Sequence, residues 1–180
     1  MCCGYAGYLP TYWVKLRMLQ YPALSTPLAA AWPTLLGGLT HITVGFVATF
    51  TAIACVVAAD CGAYFVGKNF GKTPLIPVSP KKTVEGAVGG LIASVSVALL
   101  LHCTFLWPLS WQGACGLGAI VFLSSLLGDI IESVMKRDAG LKESGYLIPG
   151  HGGLLDRFDS YIFTGAVVHF YMKCLPFFGI

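Results

Sequence analysis

The chain has 180 residues, 56% of them hydrophobic and only 11% charged, with a mean hydropathy of +0.76. A soluble domain carries about 25% charged residues, so this composition excludes one and marks an integral membrane protein. The net charge of +3 is small and gives no broad basic surface of the kind that binds nucleic acid.

A membrane span needs roughly 20 apolar residues at about 1.5 Å each. The segment before residue 41 holds an apolar piece ahead of Lys15 and Arg17, then Pro22, Pro27 and Pro33, and supports no assignment. Spans are predicted at His41–Val66, Ala87–Trp107, Gly113–Ile131 and Tyr161–Phe178. The expected fold is therefore all-α, a polytopic integral membrane helix bundle forming one domain, with residues 41–180 as its core. The opening Cys2-Cys3-Gly4-Tyr5 has no basic region and no cleavable signal, the pattern expected of a chain that begins part-way through a larger protein. Seven scattered cysteines without a C-x-x-C pair read as small apolar packers.

Lys68, Lys72, Lys81 and Lys82 fall in one loop, and Lys136, Arg137, Lys142 and Arg157 in another two spans later, so both loops emerge on one face. The positive-inside rule makes that face cytoplasmic or stromal, and the uncharged link Pro108–Gln112 falls on the other side. At the end of the first span, Asp60 and Tyr64 are one turn apart and either share a cleft or mark the water boundary. The following Gly71-Lys72-Thr73 is no P-loop tail, because Val66 stands where that motif needs glycine. In Ser79-Pro80-Lys81-Lys82-Thr83-Val84-Glu85-Gly86, Pro80 favours the first turn of a helix capped by Ser79. Lys81 and Lys82 would then flank free N–H groups, a place for phosphate or for anchoring to headgroups. Gly86 and Gly90 form a small-x-x-x-small pair for close helix packing.

Ser125, Asp129, Glu132, Ser133 and Lys136 recur at steps of three and four, a polar stripe on an otherwise apolar helix. A charge buried in hydrocarbon costs about 2.5–3.5 kcal/mol on insertion scales, so such a stripe faces a bundle interior or a wet cavity. Downstream, Gly150, Gly152 and Gly153 permit close approach of backbone to a ligand. Asp156 and Asp159 share a face if Leu155 begins a helix. Carboxylates beside Arg157, Lys136 and Arg137 are the groups that magnesium-assisted phosphoryl or nucleotidyl transfer uses. His151 could donate to a phosphate oxygen, whereas His41, His102 and His169 lie in or beside apolar spans and read as structural.

The stretch Ser133 to Asp159, with Lys136-Arg137, Lys142-Glu143, Pro149-Gly150-His151-Gly152-Gly153 and Asp156-Arg157-Phe158-Asp159, closely resembles the signature of phosphatidate cytidylyltransferases. Ser79 to Gly86 and Gly128-Asp129-Ile130-Ile131-Glu132-Ser133 are similar to the same family, and Gly7–Arg17 and Asp159–Gly165 to its plastid and cyanobacterial branch. Glu143 stands where the family usually has Asp, and the family carries more N-terminal spans. The resemblance implies transfer of CMP from CTP to phosphatidic acid in a bilayer, giving CDP-diacylglycerol and pyrophosphate with Mg2+ as cofactor. It implies Asp129, Asp156 and Asp159 as metal ligands and, with Lys136, as the catalytic set. Lys81, Lys82, Ser133, Arg137, Lys142, His151 and Arg157 would bind substrate. The resemblance leaves a homodimer open. Rival readings are a CTP-dependent kinase of a polyprenol or phytol, and a small cation-coupled transporter.

Overall fold

The structure, a computed structural model, describes residues 7–19, 43–76, 79–105, 109–140 and 155–174, with backbone alone at 76, 79–81 and 155–157. The elements in chain order are α1 (Thr11–Arg17), α2 (Val44–Phe70), β1 (Pro74–Ile76), β2 (Ser79–Thr83), α3 (Val84–Phe105), α4 (Trp111–Asp138) and α5 (Leu155–Cys174). Helices α2, α3 and α4 are long and apolar enough to cross a membrane. The Thr43 hydroxyl caps α2 by accepting from the Phe46 N–H, and Ser110 caps α4 by accepting from the Gly113 N–H. With 28 residues, α4 is about 42 Å long against roughly 30 Å of hydrocarbon, so its charged last turns reach past the apolar slab.

Between helices in lipid the hydrophobic effect is weak, and association rests on close packing and interhelical hydrogen bonds. Helices α2 and α3 meet along small residues. A Cβ on Gly86 would lie 2.8 Å from the Ala63 carbonyl oxygen, and one on Gly90 2.9 Å from that of Ala59. This is the role expected of the Gly86/Gly90 pair. The Ser94 hydroxyl donates to the Gly118 carbonyl at 2.8 Å and ties α3 to α4. Val47, Cys55 and Val56 of α2 join Ala98, Leu117, Val121 and Val168 in one apolar core. Helix α1 lies across α5 and the start of α2: Leu16 is fully buried, and the Trp13 indole donates to the Tyr161 carbonyl at 2.8 Å.

Alternating helix directions put the end of α2, the start of α3, the end of α4 and the start of α5 at one end of the bundle. The antiparallel hairpin β1–β2, paired Pro74↔Thr83 and Ile76↔Ser79, sits at the same end.

Two expectations change. Ser79, Pro80, Lys81 and Lys82 do not open a helix; they form strand β2, and α3 starts at Val84. Thr83, a β-branched residue suited to extended backbone, provides the cap instead, its hydroxyl accepting from the Gly86 N–H at 3.1 Å. Pro80 is tolerated because a two-stranded hairpin has only edge strands. The fourth predicted span overlaps α5, but α5 begins six residues earlier and takes in Asp156, Arg157, Asp159 and Ser160. Its described length is therefore too polar to count as a span, and residues 175–178 lie outside the described ones.

Candidate active site

The ends of α2, α3 and α4 and the hairpin line an open cleft of about 160 Å³. Asp60 and Tyr64 of α2, Lys82 and Thr83 beside the start of α3, and Ser125 and Asp129 of α4 supply its polar lining; Ala59, Ala63, Phe122 and Leu126 supply apolar wall. Asp60 lines the cleft and is also exposed, so it meets both readings given for it.

Asp129 is the hub. One carboxylate oxygen, Oδ2, receives Lys82 Nζ at 2.5 Å, and the other, Oδ1, accepts from the Ser160 hydroxyl at 2.5 Å. Ser160 also lies 3.4 Å from Asp159 Oδ1, the same oxygen that accepts from the Ser160 backbone N–H at 2.7 Å. One hydroxyl thus stands between the carboxylates of two helices. That approach needs Gly128, where a Cβ would come 2.7 Å from the Asp159 carbonyl oxygen. Further along α4, Glu132 is 2% exposed and pairs with Lys136 at 3.2 Å across one helical turn. Behind Ser160 a polar seam continues inward, Ser160 O accepting from Thr164 Oγ1 at 2.6 Å and Thr164 Oγ1 from Ser124 Oγ at 3.2 Å.

The fields of Asp129, Asp159 and Lys82 all reach Asp60, and Asp159 lies in the field of Asp129 and within hydrogen-bond reach of Glu132. Four carboxylates therefore gather around two ammonium groups among the described side chains, Lys82 and Lys136. Like charges held this close favour a cation between them. No group of three or more His, Cys, Asp or Glu side chains with metal-holding geometry occurs among the described residues. Asp129 and Asp159 nevertheless fit magnesium, which takes oxygen ligands, typically one or two carboxylates, and completes its shell with water and substrate phosphates.

Of the residues expected at the site, Asp129, Asp159, Lys82 and Lys136 come together at one end of the bundle. Ser133 is half-buried one turn beyond Asp129, and Arg137 is exposed at the end of α4. Asp156 and Arg157 fall in the first turn of α5, which begins at Leu155, the condition for Asp156 and Asp159 to share a face, and Lys81 is next to Lys82 on β2; these three are described by backbone only. Lys142 and His151 lie outside the described residues. His169 is buried against Tyr12 and Phe170 at the opposite end, in keeping with a structural role. Sequence reasoning missed Ser160. Its one available signal was position, directly after Asp159 and four before Thr164.

Residues 4–175 match the profile of the cytidylyltransferase family. The chain is 51% identical over 170 residues to phosphatidate cytidylyltransferase 5, chloroplastic, of Arabidopsis thaliana, covering 94% of this chain and 43% of that protein. It is 47% identical over 177 residues to phosphatidate cytidylyltransferase of a Synechocystis strain, covering 95% and 60%. Against the Bacillus subtilis phosphatidate cytidylyltransferase it is 41% identical over 125 residues, covering 68% and 46%. The chain spans about half the length of the curated relatives it matches.

Proposed function

The chain belongs to the cytidylyltransferase family, and we propose that it transfers CMP from CTP to phosphatidic acid, releasing pyrophosphate and leaving CDP-diacylglycerol. The observation that carries this reading is the junction of Asp129, Asp159, Ser160 and Lys82 at the charged end of a cleft whose other wall is apolar. A lipid phosphate and a water-soluble nucleotide need such a two-sided site.

In the reaction a phosphatidate oxygen attacks the α-phosphorus of CTP, a new P–O bond forms, and the bond to the β-phosphate breaks in line. No strong base is required, because a phosphate monoester with a second pKa of about 6 is already largely dianionic near neutral pH. Lys82 offers an ammonium group at the cleft, and Lys136 and Arg137 extend the cationic edge along α4. Lys81, Lys142, Arg157, Ser133 and His151 are proposed to add phosphate contacts. Ser160 holds the Asp129 carboxylate in a fixed orientation. Magnesium, held by Asp129 and Asp159 with Asp156 as a third carboxylate, would neutralise charge on the leaving pyrophosphate.

The similarity to chloroplastic relatives supports a plastid membrane, with the basic loops and the cleft on the stromal face. A transporter would need polar groups through the membrane depth, whereas the charged groups described in the cleft gather at one end. Incubation of the protein in micelles with CTP labelled at the α-phosphate, phosphatidic acid and magnesium tests the proposal. Lipid-linked CMP and pyrophosphate in equal amounts are expected. Release of CDP with phosphorylation of an alcohol would overturn it in favour of a kinase.

A further inference from the structure

Lys82 reaches Asp129 from a hairpin that is short even for its kind. Strands of three and five residues form a marginal unit in isolation, so something in the bundle must fix where it stands. The structure shows what does. At the root of the hairpin, the Glu85 carboxylate accepts from the Lys72 N–H at 3.2 Å, the Thr73 N–H at 3.3 Å and the Thr73 hydroxyl at 2.8 Å. The Thr73 carbonyl accepts in return from the Val84 N–H at 3.0 Å. The first ladder pair, Pro74↔Thr83, follows at once, and Thr83 caps α3. Glu85 stands in the first turn of α3, where the helix dipole favours a carboxylate.

We propose that Glu85 is a positioning residue, which clamps the hairpin root to α3 so that Lys82 is delivered to Asp129 and to the phosphates that enter beside it. Its carboxylate is turned to three donors of the chain itself, so it acts through Lys82 and not on the substrate. The phosphate half of this statement rests on the reading of the cleft as a nucleotide site; the delivery of Lys82 to Asp129 does not.

The test separates the two. In Glu85→Ala and in the isosteric Glu85→Gln, the acylation rate of the Lys82 amine is measured by mass spectrometry, with exposed Lys173 at the other end of the bundle as internal reference. A rise of about fivefold at Lys82 is expected in Glu85→Ala, which removes all three hydrogen bonds, with a smaller rise in Glu85→Gln, whose amide oxygen still accepts. The KM for CTP is expected to rise by about the same factor, with kcat within about twofold. Unchanged Lys82 reactivity in Glu85→Ala overturns the proposal. So does an equal rise at Lys68 and Lys136, which would mean general loosening. Should the unaltered protein fail to consume CTP, the proposed function falls while the labelling still decides the role of Glu85. If Glu85→Ala does not fold, Glu85→Gln carries the comparison.

Discussion

The two ends of the bundle use the same residue types differently. No acid precedes Asp60 in the chain and none follows Asp159, so all eight lie in or between segments that meet at the cleft, while the bases outside that interval are Lys15, Arg17 and Lys173. At the cleft, Lys82 and Lys136 meet carboxylates. At the other end, Lys15 lies 4.5 Å from the centre of the Tyr12 ring and Arg17 5.2 Å from that of Phe46. Cations resting on aromatic rings near a membrane boundary anchor a helix. Cations among crowded carboxylates, in a cleft with room for a ligand, are equipped to exchange partners.

The strongest break in that contrast is Asp129→Asn set against Lys173→Gln. Loss of the hub carboxylate is expected to lower formation of lipid-linked CMP by about 10³-fold, the scale of removing one preorganised electrostatic group, with helix content by circular dichroism unchanged. Lys173→Gln should retain turnover within about twofold.

A pair of glycines sharpens the comparison. Gly128→Ala would place a methyl group against the rigid backbone of Asp159, move α5 outward and separate Asp129 from Ser160. A displacement of about 1 Å is enough to cost on the order of 10²-fold in rate, which steady-state assay would reveal. At Gly116 the added methyl would meet the Tyr171 hydroxyl, the end of a side chain that can turn aside at the expense of its hydrogen bond to the Gly113 carbonyl. Gly116→Ala should therefore lose about 1 kcal/mol of stability in thermal melts and leave the rate alone.

A stability loss of the same size belongs to Trp13→Phe, which removes the indole donor to Tyr161 but keeps most of the packing. About 1 kcal/mol of stability is expected to go, without change in KM for CTP; a change in KM would mean that α1 communicates with the cleft.

Much of this was readable in the chain. Continuous apolar runs have the length of a membrane span, and α2, α3 and α4 follow three of them within a few residues at most boundaries. The polar stripe on α4 was visible because 3.6-residue periodicity places Ser125, Asp129, Glu132 and Lys136 on one face whatever lies opposite. The start of α5 was not readable, since two aspartates three apart share a face only once Leu155 is known to begin a helix. The strand at Ser79–Thr83 was not readable, since Pro80 suits an edge strand as well as a first helical turn, and only pairing with Pro74–Ile76 decides between them. The importance of Ser160 was equally hidden, because a lone serine after an aspartate carries no signal until another helix brings a carboxylate to it.

By itself the sequence determined the solvent this protein lives in, the places of its three long apolar helices and the end of the bundle where its charges collect, because these depend on composition and on periodicities internal to each segment. Tertiary structure alone decided which acids share a cleft, which cation meets Asp129 and what holds the hairpin in place. Those are contacts between residues as far apart in the chain as Lys82 and Asp129, and they form only when glycines at the crossings let the helices close to within van der Waals distance.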